Sequence, residues 1–333
     1  MPRHRYIGVR IAFVLGAALL PCLASSSGPG FHAGPASATL GASQTAATAL
    51  MAHALESIKA LRNSQGLPIN RELDPNQTGI IGDEFTPLTT SNGELEAKRT
   101  SANPVFAAIL VRYLWDAGLT RGDVVAVGAS GSLPGLLLAT LSAACVLKLE
   151  PIVIYSVGAS MYGANIPGFT FVDMLARLRT DGLLPYRLTA VSPGGDEDSG
   201  TGALFDEAGT ALVAETRRSG LPMVAGASLA ERIAWRLHAY DTGAGGRPIR
   251  CFVNIGGASA NFGDTPEALA LPNGLLRHVA RVPSSPTRGL VFEFASRGVP
   301  VVHLLHVAGL ARDNHLPYDP MPMPRSGKGT RAP

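Results

Sequence analysis

Apolar residues first recur at helical spacing between Thr45 and Asn63, where Leu50, Met51, Leu55, Ile58 and Leu61 share one face. Gly66-Leu67-Pro68 stops that run, and a polar stretch from Glu72 to Thr100 follows with few strand or helix signals. The helical period returns over Pro104–Ala117 and ends at Gly118. Beyond it, short β-branched runs alternate with longer helical ones. The strands predicted are Val124–Val127, Pro151–Tyr155, Arg187–Val191, Arg250–Ile255 and Pro300–Val307. The helices predicted are Pro134–Val146, Phe171–Arg179, Gly202–Arg218, Ser228–Tyr240 and Pro286–Arg297. This alternation predicts an α/β fold, a mainly parallel, Rossmann-like layered sheet with helices on both faces. Ligands bind such sheets at the carboxyl ends of the strands.

The first residues follow another pattern. Arg3, Arg5 and Arg10 precede an apolar run from Ile11 to Leu20, and Pro21-Cys22-Leu23-Ala24-Ser25-Ser26 comes next. That is the order of a secretory signal: basic flank, short apolar core, small residues for cleavage. The run falls short of the ~20 residues of a relaxed membrane-spanning helix. Residues 1–24 therefore read as a signal peptide, with a retained membrane anchor as the alternative, and either places the body outside the cytoplasmic membrane. Residues 25–45, rich in Ser, Gly, Ala and Pro, read as a flexible stalk. Residues 46–320 read as the α/β domain and residues 321–333 as a loose basic tail.

Charge sharpens this division. The chain of 333 residues holds 28 basic and 25 acidic side chains, a formal net charge of +3. Three of the basic residues lie in the signal and three, Arg325, Lys328 and Arg331, in the tail, which leaves 22 basic against 25 acidic residues in the body. No basic patch with interleaved aromatics is present, so a nucleic-acid partner is excluded. Hydrophobic residues make up 46% of the chain, which excludes a disordered one. Cys145 and Cys251 lie in apolar runs and read as small buried hydrophobes; a disulfide needs their Cα atoms within ~7 Å.

Candidate chemistry clusters after the predicted strands. The first is followed by Gly128-Ala129-Ser130-Gly131-Ser132-Leu133-Pro134, with Ser132 placed to cap a helix whose first turn holds Pro134. Three readings stand: a structural cap, a turn whose N–H groups cradle an anion, or an approximation to the G-x-S-x-G elbow with a nucleophilic Ser130. Ser156 to Asn165 is a second small-residue loop, with Asp173 beyond it as an acid at a helix start. Asp196-Glu197-Asp198 follows the third strand and reads as a solvated turn, with a hard-cation site as the other reading. Asn254 puts an amide inside an apolar strand and needs a partner, and Gly256-Gly257 admit a ligand close to the backbone. In the last strand His303 reads as a hydrogen-bonded core imidazole, and His306 as the better-placed general base. No G-x-G-x-x-G follows the first strand, and there is no Walker lysine for a nucleotide.

Several of these stretches, in their order along the chain, resemble the poly-gamma-glutamate system protein family. They are Phe85-Thr86-Pro87-Leu88-Thr89-Thr90 with Gly93-Glu94-Leu95, Lys98-Arg99-Thr100-Ser101-Ala102-Asn103-Pro104, and residues 128–134, 156–164, 192–198, 253–257 and 300–305. The resemblance covers residues 46–325 and implies a role beside the membrane-bound ligase and export machinery of an anionic capsule or secreted polymer. Two functions follow as expectations. In one, the protein is an accessory factor that binds poly-gamma-glutamate, or its synthesis and export proteins, through Lys98, Arg99 and helix-start N–H groups near Ser130–Ser132. Gly128, Gly131, Asn254, Gly256 and Gly257 complete that candidate ligand site. In the other, it is a hydrolase or transferase acting on gamma-glutamyl amide bonds. Its nucleophile is Ser130 or Ser132, its base Lys98, His306 or an acid, and its oxyanion donor the Gly131 or Gly257 N–H.

Overall fold

The computed structural model describes residues 39–324 apart from 203 and 205–207. The signal or anchor at 1–24 and the tail from 325 lie outside the described residues. Its elements, in chain order, are α1 (Leu40–Ser64), β1 (Thr89–Ser91), α2 (Leu95–Ser101), α3 (Val105–Asp116), β2 (Val124–Ser130), α4 (Pro134–Leu147), β3 (Glu150–Ser156) and β4 (Ala159–Ser160). They continue with α5 (Phe171–Thr180), β5 (Leu188–Ser192), α6 (Ala208–Arg218), α7 (Leu229–Ala244), β6 (Ile249–Ile255), α8 (Ser259–Phe262) and α9 (Pro266–Leu269). The chain closes with β7 (Gly274–Leu276), α10 (Gly289–Ser296), β8 (Val301–Leu304) and α11 (Val307–Asp313).

The six-stranded sheet has the order β5-β3-β2-β6-β8-β7, parallel throughout except for β7 at one edge. All seven residues of β2 are buried, which is why its sequence reads as continuously apolar rather than alternating. Helices cover both faces. On one, α1 packs against α3, α4 and α5, and α4 is buried on every side from Pro134 to Ala144. On the other, α7, α8 and α10 pack over a core that includes Tyr240, Phe252 and Phe294. This is the Rossmann-like layered α/β architecture that the alternation predicts.

Several boundaries differ for physical reasons. The first helix starts at Leu40, where the Thr39 hydroxyl accepts from Ala42 N, so the expected stalk is already helical over its last residues. The polar stretch 72–100 contains β1 and α2, whose surroundings rather than their apolar period hold them. The last strand ends at Leu304, and His306 becomes the N-cap of α11 instead of a strand residue. Met323 N donates to Asn76 Oδ1 and Asn76 Nδ2 donates to Pro320 O, so residues 320–323 are tied to the body. Both Cys145 and Cys251 carry free thiols.

The order of the strands places the site. The chain proceeds from β2 outward through β3 to β5, then returns to the other flank of β2 for β6 and β8. The helix after β2 lies on one face and the short helix after β6 on the other. A crevice therefore opens between the carboxyl ends of β2 and β6, the topological switch point where ligands bind open α/β sheets.

One charged network fixes the loop on the β5 side of that crevice. Arg236 of α7 and Asp198 are both fully buried, with Nη2 2.6 Å from Oδ2. Ser156 and Ser192, in register at the ends of β3 and β5, donate to the other carboxylate oxygen at 3.0 and 2.6 Å. The acidic loop is a solvated turn only at Asp196 and Glu197, which are exposed; its third acid anchors it in the core. Asp198 takes a left-handed φ of 66°, which Asn also tolerates. Asp198→Asn is accordingly expected to destabilise the fold by about 3–5 kcal/mol, because it leaves the guanidinium buried without a counter-charge. In urea unfolding, adding Arg236→Met should recover part of that loss; a purely additive double variant would show that the two groups act independently.

Candidate functional site

The crevice is a cleft of about 430 Å³. Ser130 and Ser132 line it from the end of β2, Ser156 from β3, Gly256–Ser259 after β6, and Leu305–Val307 after β8. Thr90–Glu94, Ala97, Lys98 and Ser160 form the wall above β2 and β3, and Gly194–Asp196 close the β5 side. The lining is dominated by hydroxyls and glycine backbone, with few large apolar side chains.

Lys98 is the unusual member. Helix α2 turns it into the wall, where only 4% of it stays exposed. Its Nζ reaches Ser132 O at 2.6 Å and Ser160 Oγ at 2.5 Å. Burial drives the amine down to a pKa of about 7, against the pull of Glu94 toward the charged form. The neutral amine has a lone pair for the Ser160 hydroxyl proton, while its own N–H groups still satisfy the Ser132 carbonyl.

Ser160 sits at the end of β4, which pairs in parallel with β1 as a two-stranded sheet above the cleft. Its backbone N–H donates to Ser132 Oγ at 3.0 Å. Ser132 therefore holds both members of the pair, the lysine through its carbonyl and the serine through its hydroxyl. Gly93 lies directly behind Ser160: a Cβ there would stand 2.7 Å from Met161 O and 3.0 Å from Ser160 Oγ.

The residues named from sequence separate into distinct places. Lys98, Ser130, Ser132, Gly256 and Gly257 line the cleft. Ser130 ends β2 in extended backbone, 4% exposed, and its Oγ accepts from Ser132 N at 3.4 Å. Ser132 does not cap α4, whose N-cap is Leu133 without a side-chain bond. The lysine meets neither serine's hydroxyl but that of Ser160.

Arg99 points elsewhere. It makes a two-pronged pair with Asp319, Nε to Oδ1 at 2.7 Å and Nη2 to Oδ2 at 2.5 Å, so its charge is not offered to the cleft. Gly128 lies within β2, where a Cβ would fall 2.5 Å from Asn261 Oδ1; its smallness admits that amide rather than a ligand. The Gly131 N–H is already given to Ser156 O and Gly158 O, which removes it as an oxyanion donor. Gly257 N–H keeps no partner among the described residues. Asn254 is fully buried beneath the cleft, donating to Gly256 O and facing His303 Nδ1 at 3.0 Å. His303 is the core imidazole, its pKa lowered by burial to about 4. His306 is exposed at the cleft's β8 end.

Asp173 also has a structural place. Asp173 belongs to a capping box with Thr170 and pairs with Arg218 at 2.7 Å. Among the described residues no group of three or more His, Cys, Asp or Glu side chains is arranged to hold a metal ion.

The seating of Lys98 has a measurable consequence. Its folded pKa lies below the unfolded value of about 10.4, so between roughly pH 7 and pH 10 the unfolded chain binds more protons and stability rises with pH. Lys98→Met removes this penalty. The variant is expected to melt about 2 °C or more above the parent at pH 6, with a smaller gain at pH 9. An equal gain at both values, or a loss at pH 6, would contradict a desolvated amine. No protein-family profile, curated protein or solved structure matches this chain.

Proposed function

We propose that the protein is a serine-dependent hydrolase or transferase in which Lys98 activates Ser160. The observation that carries this reading is the 2.5 Å contact between Lys98 Nζ and Ser160 Oγ inside the switch-point cleft. A nucleophile needs a base within hydrogen-bond reach that is unprotonated near neutral pH, and a lysine with a pKa of about 7 meets both conditions. Ser160 Oγ attacks an acyl carbon while its proton passes to Nζ. The tetrahedral intermediate then collapses, the C–N bond breaks, and Lys98 returns the proton to the departing nitrogen. Water or an amine attacks the resulting ester while Lys98 takes its proton, the acyl C–Oγ bond breaks, and Lys98 returns the proton to Ser160 Oγ. Gly257 N–H is the oxyanion donor that remains of the two considered.

The ordered stretches at 85–104, 128–134, 156–164, 192–198, 253–257 and 300–305 support placing this chemistry in a poly-gamma-glutamate system, on gamma-glutamyl amide bonds. Ser160 lies inside one of them. The basic and apolar start of the chain supports action at the outer face of the cytoplasmic membrane, with residues 1–24 as signal or anchor.

A second reading is an accessory protein that binds the polymer or its synthesis and export proteins without chemistry. The hydroxyl-rich lining favours it, since neutral donors hold carboxylates without fixed charge. It expects polymer binding that survives Ser160→Ala.

Labelling by a fluorophosphonate probe separates the two. The expected result is covalent label on Ser160, lost in Ser160→Ala, reduced about 100-fold or more in Lys98→Met, and retained in Ser130→Ala. The labelling rate is expected to rise with pH through about 7, as Lys98 loses its proton. Glu94, Asp196 and His306 are the other ionisable groups facing the cleft, and Glu94→Gln should move the midpoint down because Glu94 favours the ammonium. Absence of label at any pH would exclude the enzyme reading.

A further inference from the structure

We propose that the acyl group accepted by the cleft carries no net negative charge, so that on a poly-gamma-glutamate chain the reacting unit is the amino-terminal gamma-glutamyl group. This rests on the serine–lysine reading of the same site.

Among the described residues lining the cleft, the ionisable side chains are Glu94, Asp196, Lys98 and His306. No arginine lines it. Arg99, the neighbour of Lys98, is held by Asp319, and Arg236, beneath the cleft, is held by Asp198. Among the described residues the one ammonium able to meet a substrate carboxylate is therefore Lys98, and an anion bound against it favours its protonated form. A protonated Lys98 has no lone pair for the Ser160 hydroxyl. An acyl donor with an uncompensated carboxylate thus suppresses the base it needs.

Internal units of a gamma-linked chain each carry an unbalanced α-carboxylate. The amino-terminal unit differs, because its free α-ammonium cancels that charge. Glu94, whose Oε2 also accepts from Tyr318 Oη at 3.2 Å, and Asp196 line the cleft from separate segments and are the acidic groups there for the ammonium, while the serine hydroxyls serve the carboxylate. In the reaction the bond from Ser160 Oγ to the γ-carbonyl carbon forms and the amide C–N bond breaks. The proton carried by Lys98 goes to the α-nitrogen of the second residue, which leaves as the new amino terminus. Water then releases free glutamate, or an amine accepts the glutamyl group.

The test compares three probes on the purified full chain: gamma-glutamyl-p-nitroanilide, its N-acetyl derivative, and the uncharged ester p-nitrophenyl acetate. The free-amine anilide is expected to exceed the acetylated one by about tenfold or more in kcat/KM. The double variant Glu94→Gln, Asp196→Asn should narrow that ratio. On the polymer, acetylating the amino end should stop glutamate release. Equal rates for the free and acetylated anilides, or cleavage of the blocked polymer into internal fragments, would overturn the charge inference. If p-nitrophenyl acetate gives no Ser160-dependent turnover, the serine–lysine reading itself fails, and the inference with it.

Discussion

A guanidinium and a carboxylate sealed from solvent constrain the rest of this molecule. Arg236 and Asp198 are tolerable in the core because they meet each other, with the Ser156 and Ser192 hydroxyls and Asn261 Oδ1 as further partners. Ser156 and Ser192 supply two of those partners, so the ends of β3 and β5, the helix α7 and the glycine-rich loop are held in one arrangement. The loop takes left-handed backbone at Gly194, Gly195, Gly200 and Gly202, which glycine allows, and also at Glu197 and Asp198, where the side chain disfavours it. Hydrophobic packing builds the layers, but this polar network gives the cleft a defined wall.

The opposite wall uses desolvation differently. Buried charge at Arg236 is matched, whereas Lys98 is buried without a carboxylate in contact and gives up its proton instead. One buried cation is thereby matched by a carboxylate, while the other is pushed toward its neutral form. Ser132 links that second wall to the sheet through a carbonyl and a hydroxyl.

Much of the layered fold was legible because it depends on local periodicity. The strand cores at 124–127, 151–155, 188–191 and 250–255 and the helices between them follow from apolar spacing alone. Lys98 was visible as a cation in a distinctive stretch, and α-helical geometry adds a refinement: adjacent residues point about 100° apart, so Lys98 and Arg99 cannot both face one cleft. Ser160 carried no local signal. It lies in a two-residue strand within a loop of small residues, and only pairing with β1 brings it to the lysine. The burial of Asp198 was equally hidden, because its partner stands 38 positions away on α7. Ser130 and Ser132 drew notice through their turn sequence, which turned out to position the site's neighbours.

The contact between Arg99 and Asp319 spans 220 positions of the chain. Closing so long a loop is entropically costly until the sheet has already brought its ends together. The clamp on α2 therefore depends on the assembled sheet, and it ties the helix that carries Lys98 to a segment far along the chain.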